Sequence, residues 1–251
     1  MRGFTRFTGA LAGAALLLVS AAPVLAGSLA PPPGPIQPTS RVTINPQAIA
    51  LPFVINNPGS YVLTGDLINT GGAPNALVVQ VPGVTIDLNG FVIDGFGGAG
   101  DAILVNAGDT VITNGHIRNW QGAGVNAQSF SFPNRIESLS IRDCQRGVIA
   151  VHAIISDVNV ARCEFEGIVA LAASTVTDCL VRECGLSGGP GYFGDLGTIF
   201  RNCTALENGG DGFNGIIGCV FENCTAKLNG VSTGSGNGFF VDLGGVIRGC
   251  A

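Results

Sequence analysis

Charge is scarce in this chain of 251 residues: 12 Lys and Arg stand against 17 Asp and Glu. So few cations cannot build the basic face that a nucleic-acid partner needs, and no such partner is expected. Long apolar runs are missing as well. After the first 26 residues nothing approaches the roughly 20 consecutive apolar residues of a membrane helix, so no membrane span is expected once those residues are removed. Groups able to move protons are few: His116, His152, Lys227, Tyr61, Tyr192 and the arginines. Helical periodicity is absent too, since apolar residues alternate with period two and Gly, present 39 times, recurs every few positions.

What is present begins with an export pattern. Arg2 and Arg6 precede an apolar run from Ala10 to Val19, and Val24-Leu25-Ala26 makes a small-residue cleavage site. These features predict a secretory signal peptide over residues 1–26 and a secreted, cell-surface or periplasmic protein. Pro31-Pro32-Pro33-Gly34-Pro35 and Pro38 then predict an extended, Pro-rich linker over 27–40. Residues 41–251 fit one domain.

Within that domain a unit repeats. Ile112-Thr113-Asn114, Ile136-Glu137-Ser138, Ile155-Ser156-Asp157, Val176-Thr177-Asp178, Phe200-Arg201-Asn202, Phe221-Glu222-Asn223 and Ile247-Arg248-Gly249 align, with coils of about 19–27 residues. The first column is apolar and predicted to face inward, the second polar and predicted to face out. The third holds Asn, Asp, Ser and Gly, residues suited to a stacked turn. Further inward columns follow, one from Gly115 and Leu139 to Cys250 and one from Ile117 to Ala226. Outward columns alternate in sign, as in Arg201, Glu222, Arg248 and in Asp143, Arg162, Glu183, which suits neighbouring rungs about 4.8 Å apart. Glycine-led runs such as Gly124-Val125, Gly147-Val148, Gly167-Ile168, Gly212-Phe213 and Gly238-Phe239 predict a third strand per coil. The expected fold is all-β: a single-stranded right-handed parallel β-helix. Val84 to Ile93 echoes the repeat, but places Asp87 inward unless the register slips by one.

The runs Asn57-Pro58-Gly59-Ser60-Tyr61-Val62-Leu63-Thr64-Gly65-Asp66-Leu67, Gly83-Val84-Thr85-Ile86-Asp87-Leu88-Asn89-Gly90 and Ile112-Thr113-Asn114-Gly115-His116-Ile117 resemble the right-handed β-helix repeat proteins of the pectin-lyase-like superfamily. The resemblance covers about residues 41–251. It implies the fold, and among functions it implies polysaccharide lyases, hydrolases and epimerases, copper-binding proteins and surface proteins without known activity. Fold alone does not select among them. No lyase or epimerase signature can be carried across, and no acid cluster resembles the calcium site of pectate lyases.

Two readings therefore stand. One is a non-catalytic exported protein that binds a polysaccharide or another cell-surface component through a lateral face, using Trp120, Arg118, Arg142, Arg182 and Lys227. The other is a polyuronate lyase or epimerase with His116, Arg118, Arg142 and Arg182 as candidate catalytic residues. No cofactor is expected, with Ca²⁺ entering only under the enzyme reading. The cation column Arg118, Arg142, Arg182, Lys227 could grip sugar carboxylates or merely neutralise Asp94, Asp143, Glu183 and Glu207. Trp120 could stack on a sugar or cover the coil's apolar edge.

Seven of the eight cysteines fall into two columns, Cys179, Cys203, Cys224, Cys250 and Cys144, Cys163, Cys184, with Cys219 apart. Packed free thiols, some disulfides, and a soft-metal line such as Cu(I) are the alternatives, the first preferred, and no metal site is assigned. The loops 128–134, 185–191 and 229–238 are expected to bulge outward. The chain stops within a coil at Ala251, which predicts an open edge that self-associates or is covered, or a truncated sequence.

Overall fold

The computed structural model describes residues 41–128, 132–232, 234 and 236–251. The expected signal peptide and linker lie outside the described residues, as do parts of the loops 128–134 and 229–238. The described chain is a right-handed parallel β-helix made of two parallel sheets, one of 15 strands and one of 9. No helix occurs among the described residues.

The inward column of the repeat is the register observed. Ile112 pairs with Ile136, Ile136 with Ile155, Ile155 with Val176, Val176 with Phe200 and Phe200 with Phe221. All six are at most 1% exposed, whereas Ile247, on the last described rung, is 47% exposed. The turn column that follows is a ladder in left-handed backbone: Asn114 (φ 62°), Ser138 (53°), Asp157 (53°), Asp178 (55°), Asn202 (53°), Asn223 (54°) and Gly249 (60°). Asn and Asp tolerate this conformation because their short polar side chains bond locally. Ser138 Oγ donates to Asp157 at 3.0 Å and Asn202 Nδ2 to Asp178 at 3.1 Å, so the ladder is also stitched along the helix axis.

In the middle coils the strands on either side of this corner run on as single bent elements, Thr110–Trp120, Asn134–Arg142 and Ala153–Ala161. Later coils break them in two, as in Thr175–Thr177 and Leu180–Arg182. The glycine-led third strands form the second sheet, from Phe53–Ile55 to Phe239–Val241. The ambiguity at Asp87 resolves: Ile86 pairs with Ile112 and Asp87 with Thr113, facing outward. The turn Leu88–Phe91 then carries two extra residues, with Asn89 (φ 53°) and Gly90 (77°) left-handed, before Ile93 rejoins Ile117.

The late coils are filled by aromatic rings rather than aliphatic ones. Tyr192 stacks on Phe213 at 4.6 Å, Phe213 on Phe239 at 4.9 Å and Phe200 on Phe221 at 5.1 Å, with edge contacts between the two stacks. The buried Tyr192 hydroxyl donates to the Cys179 carbonyl at 2.7 Å, which meets the need of a phenol in an apolar core.

Candidate functional site

A second corner follows the second strand segment of each coil. Its residues, Asn119, Asp143, Arg162, Glu183, Glu207 and Leu228, are again left-handed, with φ between 54° and 62°. A charged residue in this conformation lies at the turn itself, so the corner carries a line of ionisable groups along the axis. The cation column stands one residue earlier: Arg118 pairs with Arg142, Ala161 separates Arg142 from Arg182, and Leu206 separates Arg182 from Lys227.

The cations meet carboxylates. Arg118 Nε lies 2.7 Å from Asp94, Arg142 2.6 Å and Arg162 2.8 Å from Asp143, and Arg182 2.5 Å from Glu183. The hydrogen bond from Arg162 holds Asp143 below the usual carboxylate range against the opposing effect of burial, with help from the charges of Arg162 and Arg142. Each exposed pair is of small worth. Their joint effect is a corner with little net field. Lys227 is exposed and has no ion pair among those found in the described residues.

Along this corner runs a groove. One cleft of about 700 Å³ is lined by Trp120, Gln121, Asp143, Gln145, Arg162 and Glu164, among others. A second of about 500 Å³ is lined by Arg162, Glu183, Leu186, Glu207, Leu228 and Val231. Arg162 and Leu186 line both, so the two clefts adjoin. The first end offers amides and carboxylates; the second offers exposed Leu186, Leu228 and Val231.

The residues proposed for chemistry do not converge. His116 is exposed and lines a separate recess of about 210 Å³ with Asn114, Ser138 and Asp157, at the first corner. Arg118, Arg142 and Arg182 are occupied by their carboxylates, as the neutralising reading expected. Trp120 is corrected as a sugar platform: it is 2% exposed and covers the coil's apolar edge. Gly95 and Gly98 lie directly on it, since a Cβ at Gly95 would stand 2.6 Å from its Cδ2 and one at Gly98 2.8 Å from its Cζ3.

The exposed ring nearby is Phe96, 76% accessible and held in left-handed backbone (φ 47°). Its N–H donates to Asp94 Oδ1 at 3.0 Å, and the same carboxylate takes Arg118 Nε at 2.7 Å and Asn119 Nδ2 at 2.9 Å. Phe96 does not itself line the cleft, whose lining begins three residues later at Ala99. Sequence reasoning missed Phe96, Glu164 and the two glutamines. The run Asp94-Gly95-Phe96-Gly97-Gly98, an aromatic framed by glycines in a turn, was the available signal for the first.

All eight cysteines are free thiols, and all but Cys250 are buried. Burial pushes Cys144 up to about 12, and Cys219 and Cys250 are also raised by burial. Cys250 alone is accessible, so a disulfide-type thiol reagent is expected to label it first in the native protein and all eight after denaturation. Prompt labelling of three or more would contradict this packing. Among the described residues no group of three or more His, Cys, Asp or Glu is arranged to hold a metal.

A family model described as "Right handed beta helix region" matches residues 101–251. No curated protein matches the chain. Among solved structures, the enzymatically active domain of bacteriophage CBA120 tailspike protein 2 is similar, with a TM-score of 0.62 and 16% identity over 85% of this chain. The match spans 38% of that structure's length, and at this identity it speaks for the fold alone.

Proposed function

Because the chain belongs to the right-handed β-helix family, we propose that it is an exported, non-catalytic protein that binds carbohydrate along the second-corner groove. The observation that supports the reading is that two clefts adjoin at Arg162 and Leu186 along this corner, with the exposed ring of Phe96 in the turn just before the lining residue Ala99. A polymer of sugars needs an elongated track with paired donors and acceptors and some apolar surface for ring faces. Gln121, Gln145, Asp143 and Glu164 supply the first and Leu186 the second, to which the exposed ring of Phe96 is proposed to add. Because the arginines are already matched by carboxylates, the track suits a neutral glycan better than a polyuronate.

A second reading rests on one observation: Asp143 and Glu164 line the same cleft, and paired carboxylates are what glycan cleavage employs. The related fold in the tailspike domain is described as enzymatically active. Calorimetric titration of the chain with neutral and uronate oligosaccharides, followed by assays for new reducing ends and for unsaturated uronyl products, separates the two. Binding without either product is expected. Phe96→Ala is expected to weaken binding about tenfold, ~1.4 kcal/mol, with Phe96→Trp restoring it. Release of reducing ends that stops in Glu164→Gln would replace the binding reading with a hydrolase, and unsaturated product would replace it with a lyase.

A further inference from the structure

Six asparagines stand directly before a glycine: Asn89, Asn114, Asn208, Asn214, Asn229 and Asn237. In such a pair the glycine nitrogen can attack the side-chain amide of the asparagine, because no Cβ on the glycine blocks the approach. Two groups must be unheld for this: the asparagine side chain, which has to swing onto the backbone, and the glycine N–H, whose nitrogen is the nucleophile.

Five of the six pairs hold both groups. Asn89 Nδ2 donates to the Leu63 carbonyl at 3.4 Å, Asn114 Nδ2 to Asp87 at 3.1 Å and Asn208 Nδ2 to Asn229 at 2.9 Å. Asn214 Nδ2 donates to Asp211 at 3.3 Å and Asn229 Nδ2 to the Ala205 carbonyl at 3.2 Å. Their glycines are tied as well. The N–H groups of Gly90, Gly209 and Gly230 donate to the carbonyls of Asn114, Cys184 and Asn208 at 2.8, 2.7 and 2.8 Å. Gly115 pairs with Leu139, and Gly215 with Val241, in the strand ladders. Asn237 differs on both counts. It is exposed, its side chain makes no hydrogen bond among the described residues, and the Gly238 N–H has no acceptor among them.

We propose that Asn237 is a site of spontaneous covalent modification, deamidating through a cyclic imide formed with Gly238. The Gly238 nitrogen bonds to Asn237 Cγ as the Cγ–Nδ2 bond breaks, and the displaced nitrogen leaves as ammonia, taking up the Gly238 proton. Water then opens the ring at one of its two carbonyls, leaving aspartate or isoaspartate at position 237. Nothing is oxidised or reduced, so water is the only co-reactant.

The change falls on a structured contact. The Asn237 N–H donates to Asp211 at 2.7 Å, and its carbonyl accepts from the Gly212 N–H at 2.8 Å. Either product adds a carboxylate beside Asp211, and isoaspartate also reroutes the backbone through Cγ, which displaces the carbonyl that Gly212 reaches. Phe239, two residues on, stacks on Phe213 at 4.9 Å, so the modification loosens that stack.

Incubation of the native full chain at mildly alkaline pH, followed by peptide mapping in a mass spectrometer and enzymatic methylation of isoaspartate, tests the proposal. The amide-to-acid mass gain is expected at Asn237 first, about tenfold faster than at the other five, since a hydrogen-bonded rung must open locally before its amide reacts. The rate should rise with pH, because the attacking nitrogen has to lose its proton. Gly238→Ala, whose Cβ would meet the Ala226 Cβ at an ordinary 3.4 Å, is expected to keep the fold and slow the reaction strongly. In urea all six sites should convert at similar rates. Conversion at the exposed Asn89 or Asn114 ahead of Asn237, or at Asn237 no faster than at the buried Asn208, would overturn the proposal. So would an Asn237 that stays singled out in the unfolded chain, which would assign its reactivity to local sequence rather than to the fold.

Discussion

Phe200→Ala is expected to destabilise the protein by about 3–5 kcal/mol, the upper range for deleting a buried ring. The ring is 0% exposed, stacks on Phe221 at 5.1 Å and meets Tyr192 and Phe213 edge-on at 5.7 and 6.1 Å. Its far edge rests on Gly194, where even a Cβ would come within 2.6 Å of it. The cavity left behind cannot collapse easily, because the rungs around it are fixed by parallel hydrogen bonding to both neighbours. In a solenoid each coil touches only the next, so stability is close to a sum of coil and interface contributions. Removing Phe200 weakens the coupling between the coils before and after it, and the unfolding transition is expected to split. Trp120 lies four coils earlier and reports on the amino-terminal coils alone. In urea, the Trp120 fluorescence midpoint should therefore move less than the far-ultraviolet dichroism midpoint. Coincident shifts of both would show that the whole solenoid unfolds as one unit.

How much of this was legible in the sequence depends on the direction in which each contact runs. Contacts along a column were readable, because the inward set from Ile112 to Phe221 and the turn set from Asn114 to Asn223 repeat the same chemistry at each rung. The pairing of Arg201 with Glu222, 2.6 Å in the structure, was readable for the same reason. Contacts between columns were not. That Arg142 would bend to Asp143 beside it, and that Asp94 would gather Phe96, Arg118 and Asn119, depends on the angle of the second corner, which no spacing encodes. Trp120 was ambiguous because a ring in a turn can face either way. The loop that decides it, Gly95 to Gly98, comes from the previous coil. The groove was invisible for a related reason: it is lined from four or more coils at once.

Asp94→Ala is expected to remove about 3 kcal/mol of stability and the ordered placement of Phe96 together. Asp94 is 7% exposed and accepts from the Phe96 N–H, Arg118 Nε and Asn119 Nδ2. Deleting the carboxylate leaves all three donors short of a partner, one of them a cation, which is the costly way to break a partly buried pair. Burial alone would raise the pKa of Asp94, but the bonds from Asn119, Phe96 and Arg118 outweigh it and hold the group below its ordinary value. A carboxylate with a depressed folded pKa contributes stability that is fully present above the unfolded value, near pH 4, and lost as pH falls through the folded one. Asp94→Asn keeps the shape and loses the charge. The difference in unfolding free energy between wild type and Asp94→Asn should be largest near pH 7 and shrink steadily below about pH 4. If it stayed constant down to strongly acidic pH, the ionised carboxylate would not be what anchors the loop. Glycan affinity should fall in Asp94→Ala by at least as much as in Phe96→Ala, since the first frees the ring that the second deletes. A variant that loses stability yet binds as well as wild type would separate the anchor from the groove and remove Phe96 from the binding surface.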